Sequence, residues 1–309
     1  MSASVGAGRS EGETRSIPAG PETLREVMSR FLDTGEVPSP DCAAVATVSC
    51  TTLYRDDAAF AAYAVSRQTS TTTDDGARRE SLCRGELDLA GRGDLGRVID
   101  LMCGVGGHLA AVKGSDLGWT SYTGIDVNPV AVEAARQAHG GDDRVDFVEA
   151  DIATWRPEPG TADTVLLMYE ALNALGPTRT VALLEVIAGV LAPGGVALVD
   201  VAPPADRGAA REAVLLPDPQ TAVLSGVDDA GSDATQRLSA HTVHFVGADG
   251  CRLHFSHLWW EPTADLLRAL FHRAGLDIRS EHRVHGDVVS DKPSTAQSIQ
   301  FVLTRAGDR

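Results

Sequence analysis

The densest chemistry in the chain lies between residues 98 and 173. Val98-Ile-Asp-Leu-Met-Cys-Gly-Val-Gly-Gly-His108 places an acid, Asp100, at the end of an apolar run and follows it with a glycine-rich turn. Glycine permits a tight turn and close approach of the backbone to a ligand. A helix beginning just after such a turn offers free N–H groups and a positive dipole end to an anionic group. The next apolar run ends in Gly124-Ile-Asp126-Val-Asn-Pro129. A carboxylate there can accept hydrogen bonds from two ribose hydroxyls, and Asp126 follows Gly104 at about the 20-residue spacing expected of a ribose acid. A third run ends in Val148-Glu-Ala-Asp151-Ile152, where Asp151 is suited to an adenine amino group and Ile152 to the ring.

A fourth run leads into Leu167-Met-Tyr-Glu-Ala-Leu-Asn173, in which Glu170 is a candidate general base. Further on stand His241-x-x-His244 and His254-x-x-His257. Their spacing looks like a metal set, but residues three apart on a strand point to opposite faces. With Asp249-Gly250 central in a hairpin turn, His244 faces Phe255 and His257 lies diagonally from His244. Two ligands do not make a zinc site, so no metal is expected. An acceptor-facing His254 or His257 is instead a second candidate base, because imidazole titrates near neutrality. Trp259 and Trp260 must point to opposite faces; one is expected in the core and the other, taken as Trp260, beside the substrate.

The elements that position these residues follow from hydrophobic period. Runs at 97–101, 121–126, 145–149, 163–169 and 196–201 read as buried strands. Helices at 107–113, 129–139 and 178–191 alternate with them, the pattern of a parallel sheet covered on both faces. Residues 203–240 read as a long excursion with one short helix. The runs 240–247 and 251–260 flank Asp249-Gly250 and predict a hairpin. A helix over 262–274 starts at proline and stops at Gly275, and two antiparallel strands close the chain at 276–283 and 298–304. Before all this, residues 1–20 read as a disordered tail. Residues 21–95 read as a helical cap, with an apolar stripe at Leu24, Val27, Met28, Phe31 and Leu32, a mostly helical stretch over 41–67 and a short helix over 77–89.

The quoted motifs, together with Leu191-Ala-Pro-Gly-Gly195 and the segment 262–276, resemble the class I S-adenosylmethionine-dependent methyltransferases over about residues 96–304. The resemblance implies an α/β fold, a doubly wound seven-stranded mixed sheet in a Rossmann-like methyltransferase domain (96–309). The N-terminal helical cap and a β-hairpin lid inserted at 203–261 would cover it. It implies S-adenosyl-L-methionine as cofactor, S-adenosyl-L-homocysteine as product, and Asp100, Met102, Cys103, Gly104, Gly106, Asp126, Val127, Asp151, Ile152 and Tyr169 as cofactor contacts. Asn173 matches a position beside the acceptor, and Tyr63 belongs to a cap whose aromatic faces suit a sulfonium. Met102 departs from the pattern: the family usually has a glycine there. The rivals are other S-adenosylmethionine chemistry, a non-catalytic relative, and a nicotinamide-dependent oxidoreductase, against which Leu109 stands at the third glycine place.

Composition points the same way. The net charge is −16, from 27 basic and 43 acidic side chains. Binding to nucleic acid or an anionic membrane relies on Lys and Arg displacing counterions, and no basic run is present. A small-molecule acceptor is therefore expected, in an enzyme of specialised natural-product biosynthesis; a homodimer is compatible with the sequence. Five scattered cysteines without a CxxC pair, and a first segment without an apolar middle, read as a cytoplasmic chain.

Overall fold

Val98, Tyr122, Leu166, Leu198 and Val302 alternate along their strands with Ile99, Ile125, Val165, Val199 and Phe301, and both sets are buried. A strand apolar on every residue must be covered on both faces. In the computed structural model, which describes residues 24–34, 50–69, 83–204, 210–215, 221–247, 250–284 and 298–308, this is what the chain builds. Strands β1 (Arg97–Leu101), β2 (Ser121–Asp126), β3 (Val145–Glu149), β4 (Ala162–Leu167) and β5 (Leu191–Val201) are parallel. At the far end of the chain, β10 (Leu276–Val284) and β11 (Ser298–Arg305) form an antiparallel pair that joins β5 through β11. The order is β10-β11-β5-β4-β1-β2-β3, the expected seven-stranded mixed sheet, with its topological switch between β1 and β4.

One face of this sheet is closed by helices α7 (Gly176–Val190) and α8 (Ala264–Arg273), through Leu183, Leu184, Ile187, Leu267 and Phe271. The other is closed by α4 (residues 83–88), α5 (Gly107–Gly114) and α6 (Pro129–His139), through Leu87, Leu109, Val112, Val132 and Ala135. Local chemistry sets the helix starts. Asn128 caps α6 by accepting from the N–H groups of Val130 and Ala131, with Pro129 at the first position, and Thr263 caps α8.

The region between β5 and α8 differs from its expectation. The hairpin is present, but as half of a four-stranded antiparallel sheet: β6 (Ala210–Leu215), β7 (Thr221–Ser232), β8 (Gln236–Gly247) and β9 (Gly250–Pro262). The polar run 228–235, read as part of that excursion, is the end of β7 and its turn into β8, where the Asp233 carboxylate accepts from the backbone N–H groups of Thr235 and Gln236. Gly247 pairs with Gly250, so Gly250 belongs to β9 and is not central in the turn. A bulge follows at once, and beyond it the register is His244 with His254 and His241 with His257. The extra residue slides β9 by one and moves every partner beyond it.

Helices from the cap sandwich this small sheet. Helix α1 (Leu24–Thr34) places Val27 and Phe31 on Ala222, Leu224 and Val246. On the opposite face, α2 (Cys50–Asp56) and α3 (Ala58–Thr69) place Leu53 and Phe60 on Val223, Val243 and Phe245. The expected single helical stretch is broken at Asp57, whose carboxylate accepts from the Phe60 N–H at 2.8 Å and starts α3. The tail at 1–20, the first part of the 41–67 stretch and the start of the 77–89 helix lie outside the described residues.

Candidate functional site

The C-terminal edges of β1, β2 and β3 lie side by side, and the three acids expected there are on them. Asp126 is clamped from both sides: one oxygen accepts from the Gly104 N–H and the other from the Asn128 N–H, each at 2.8 Å. These bonds tie the glycine-rich turn to the start of α6. Burial pushes the Asp126 carboxyl above its ordinary range, while these backbone donors hold it back. The Val127 backbone is a third donor, and of the carboxylate's roughly four lone-pair sites one still stays open to a ribose hydroxyl. Gly124 lies behind the turn, where an added Cβ would fall 2.7 Å from Phe147 and 2.9 Å from the Cys103 sulfur. Asp151 accepts from the Ala153 N–H and from Arg179 of α7, and Ile152 is buried beside it. A turn of backbone N–H groups, an acid at a ribose position and an acid with an apolar neighbour beyond it fit an adenosyl group.

Among the described residues, three other than glycine hold positive φ: Met102 at 57°, Tyr169 at 57° and Glu170 at 56°. They cluster at the ends of β1 and β4, on either side of the topological switch. Left-handed backbone costs a side-chain-bearing residue roughly 1–3 kcal/mol and gathers where function demands a fixed geometry.

Beneath them lies a buried ionisable network. Asp100 accepts from the Tyr122 hydroxyl and faces the His108 imidazole at 3.9 Å. His108 pairs with Glu86 at 3.1 Å, and Glu86 also accepts from Gln300 at 2.9 Å. The Cys83 sulfur lies 2.8 Å from the Tyr169 hydroxyl, and Tyr169 packs its ring on His108. Burial pulls the His108 pKa down, but Cys83, Glu86 and Asp100 more than reverse this and hold it well above its ordinary value. Burial raises the Asp100 carboxyl, against the pull of His108 and Tyr122. The ligand atoms of Cys83, Glu86 and His108 all lie within 4.8 Å of one another.

The expected acceptor side is rearranged. Asn173 is fully buried, donates to the carbonyls of Ala202 and Trp260, and accepts from the Ala202 N–H. It is a clasp between β5 and β9 rather than an acceptor contact, because its amide is used up on backbone. Trp260 is likewise the buried Trp, with its indole N–H donating to Gln236 at 2.7 Å, so it belongs to the core. Strand alternation then puts Trp259 on the opposite face, where its ring lies 5.5 Å from His241. His257 is on that face too, 5.2 Å from His241 and 6.4 Å from Phe60, and Tyr63 packs on Phe245 nearby. Burial lowers His257 to about 4, leaving it a neutral imidazole. His254 lies on β9 opposite His244, and its side chain is outside the described residues.

Sequence reasoning missed Cys83, Glu86, His108 and Asp200. His108 stood in the quoted motif as a helix start only. Asp200 ends β5 as Asp100 ends β1, so the strand-end rule could have found it. Nothing local marks Cys83 or Glu86.

Residues 98–195 match the family described as "Methyltransferase domain". The chain is 36% identical over 101 residues to the trans-aconitate 2-methyltransferase of Paracidovorax citrulli, covering 32% of this chain and 36% of that one. It is 29% identical over 174 residues to a probable phthiotriol/phenolphthiotriol dimycocerosates methyltransferase 2 of Mycobacterium ulcerans, covering 53% and 64%. The chain thus spans about a third and under two thirds of the lengths of these relatives. Its fold is similar to an S-adenosylmethionine-dependent methyltransferase of Clostridium acetobutylicum, with TM-score 0.56 at 14% identity over 81% of this chain and 98% of that one. It is also similar to the CcbJ methyltransferase of Streptomyces caelestis, with TM-score 0.55 at 20% identity over 77% and 92%. Residues 98–195 thus match a methyltransferase domain, within a chain whose fold is similar to that of these solved methyltransferases.

Proposed function

We propose that the protein transfers a methyl group from S-adenosylmethionine to an O, N or C atom of a small metabolite. The observation that carries this reading is the single edge on which Asp100, the Gly104 turn, Asp126 and Asp151 stand together. A bound S-adenosylmethionine supplies an electrophilic methyl on a sulfonium. The chain's own contribution is mainly alignment, which can supply up to roughly 7–11 kcal/mol of the barrier. A positioned base adds about 10²–10⁴-fold where the acceptor must lose a proton. Glu170 and the neutral His257 are the candidates, one on the domain and one on the lid. The lid sheet with its flanking helices excludes water from the reaction.

The two curated relatives are named for a small acid and for a lipid. The shared domain therefore does not choose the acceptor; the lid does. A small sheet with its own helical cover suits a specialised biosynthetic enzyme. The net charge of −16 and the absence of any basic run favour a soluble metabolite over nucleic acid or a membrane surface, in a cytoplasmic setting. No helix among the described residues is long and apolar enough to cross a membrane.

Calorimetry with S-adenosylhomocysteine tests the reading. The wild type is expected to bind it, and Asp126→Ala to weaken binding by about 100-fold, near the 2–3 kcal/mol of lost charge-assisted bonds. No heat with either form of the cofactor, beside uptake of a nicotinamide dinucleotide, would overturn it.

A further inference from the structure

Cys83 and Glu86 stand one helical turn apart on α4, so both point to the same side. His108, in the first turn of α5, meets them there. None of the three is more than 9% exposed, and their ligand atoms all lie within 4.8 Å of one another. A thiol, an imidazole and a carboxylate are the donor types of a zinc site. The thiol disfavours Mg²⁺ and Ca²⁺, which take oxygen ligands. Each donor is also held from behind. His108 divides its nitrogens: Nε2 faces Glu86 at 3.1 Å inside the triad, and Nδ1 faces Asp100 at 3.9 Å outside it. Asp100 is itself pinned by the Tyr122 hydroxyl. A carboxylate behind the far nitrogen is the common support of a metal-bound imidazole. Glu86 divides its oxygens in the same way: Gln300 donates to Oε1 at 2.9 Å, and Oε2 stays turned towards His108. On the third side, the Tyr169 hydroxyl lies 2.8 Å from the Cys83 sulfur.

We propose that Cys83, Glu86 and His108 bind a zinc ion through Sγ, Oε2 and Nε2, behind the glycine-rich turn. Three protein ligands leave a fourth position for water, on the side of the Tyr169 hydroxyl. Zinc bonds of about 2.0–2.3 Å set tetrahedral ligand atoms less than about 4 Å apart, so the widest pair must close by no more than about 1 Å. Zn²⁺ against one thiolate and one carboxylate sums to zero, so the filled triad brings no uncompensated charge into the interior. Metal entry sends the Cys83 thiol proton and the His108 imidazolium proton to solvent. The ion fastens α4 to the start of α5 and, through Gln300, to β11. Its role is structural: it holds from below the turn and the strand end that carry Gly104 and Asp100.

The test uses the full chain, stripped with a chelator and titrated first with Co²⁺ and then with Zn²⁺. The wild type is expected to take up a single equivalent of Co²⁺, with a thiolate-to-metal charge-transfer band and the intense visible bands of four-coordinate cobalt. Zn²⁺ should displace it with a Kd below about 1 μM. Cys83→Ser should abolish the charge-transfer band. Cys83→Ser, Glu86→Gln and His108→Asn should each weaken Zn²⁺ binding by about 100-fold or more. Gln300→Met leaves the triad intact and removes the donor behind Glu86; it should weaken binding by about tenfold. Cys103→Ser and His257→Phe should leave the band as it is. The Tm of the wild type should rise with Zn²⁺ concentration, and that of Cys83→Ser should not. No charge-transfer band in the wild type, a band that survives Cys83→Ser, equal Zn²⁺ affinity in the wild type and all three triad variants, or loss of the band in Cys103→Ser or His257→Phe overturns the proposal. Far-ultraviolet circular dichroism reports whether each variant has folded, and the wild-type band decides even where one has not.

Discussion

The adenosyl edge and the lid are both buried and both carry histidine, yet they hold it in opposite states. His108 sits among Glu86, Asp100 and Cys83 and is kept charged. His257 sits among Phe60, His241 and the aliphatic face of the lid sheet and is kept neutral. The difference is one of partners, not of depth, since both rings are nearly inaccessible. Burial alone drives an imidazole towards its neutral form; at His108 the adjacent Cys83, Glu86 and Asp100 reverse that. The large sheet is therefore wired by charge at this edge, and the small sheet by packing.

The largest expected effect lies on the charged side. His108→Ala removes the one base between Glu86 and Asp100 and leaves two carboxylates buried without it. Breaking one partner of a buried pair costs about 3–5 kcal/mol, and chemical denaturation should show a loss of that size. A loss below about 1 kcal/mol would mean that the network holds protons instead of charges, and the contrast between the two regions would fail.

A somewhat smaller effect, of opposite character, is expected from the lid. His257 has a folded pKa of about 4 against an ordinary value of 6.5. The neutral ring thus contributes stability that is fully present above 6.5 and is lost as pH falls through 4. A linkage of this size amounts to about 3 kcal/mol at its limit. His257→Phe should flatten that part of the acid limb in denaturation curves taken between about pH 4 and pH 7. An unchanged acid limb would show that the ring is solvated in solution. Asp200 acts in the other direction, since its raised pKa gives stability present below 3.8 and lost as pH rises through about 7.

The same division decides what was legible in the sequence. The large sheet announces itself because strands covered on both faces are apolar on every residue, as in Val98-Ile99 and Val165-Leu166-Leu167. The acids at 100, 126 and 151 are legible because each directly ends such a strand. The lid strands also face helices on both sides, but they are built from Ala, Ser, Thr and Gly as much as from Val and Leu. β7 ends in Val227-Asp-Asp-Ala-Gly231, which reads as loop until β8 is there to pair with it. The bulge that sets the His241–His257 pair leaves no local mark either. Its cost is met by the long pairing of β8 with β9, a property of the assembled sheet. Glu86 meets Gln300 from 214 residues away, and no window along the chain can see that contact.

The smallest effect tests the one residue that departs from the family pattern. Met102 holds φ 57° at a position where glycine would be unstrained, and its side chain packs partly on the core around Ile99 and Ile152. Met102→Gly relieves about 1 kcal/mol of backbone strain and gives back a similar amount in packing and chain entropy. Thermal stability is therefore expected to stay nearly level. What should change is room beside the turn. If the Met102 side chain narrows the methionine end of the cofactor site, glycine should tighten S-adenosylhomocysteine binding by a few-fold, under about 1 kcal/mol. A weaker complex would mean that the thioether side chain is itself part of the wall. The charged edge would then borrow, at one residue, the packing logic of the lid.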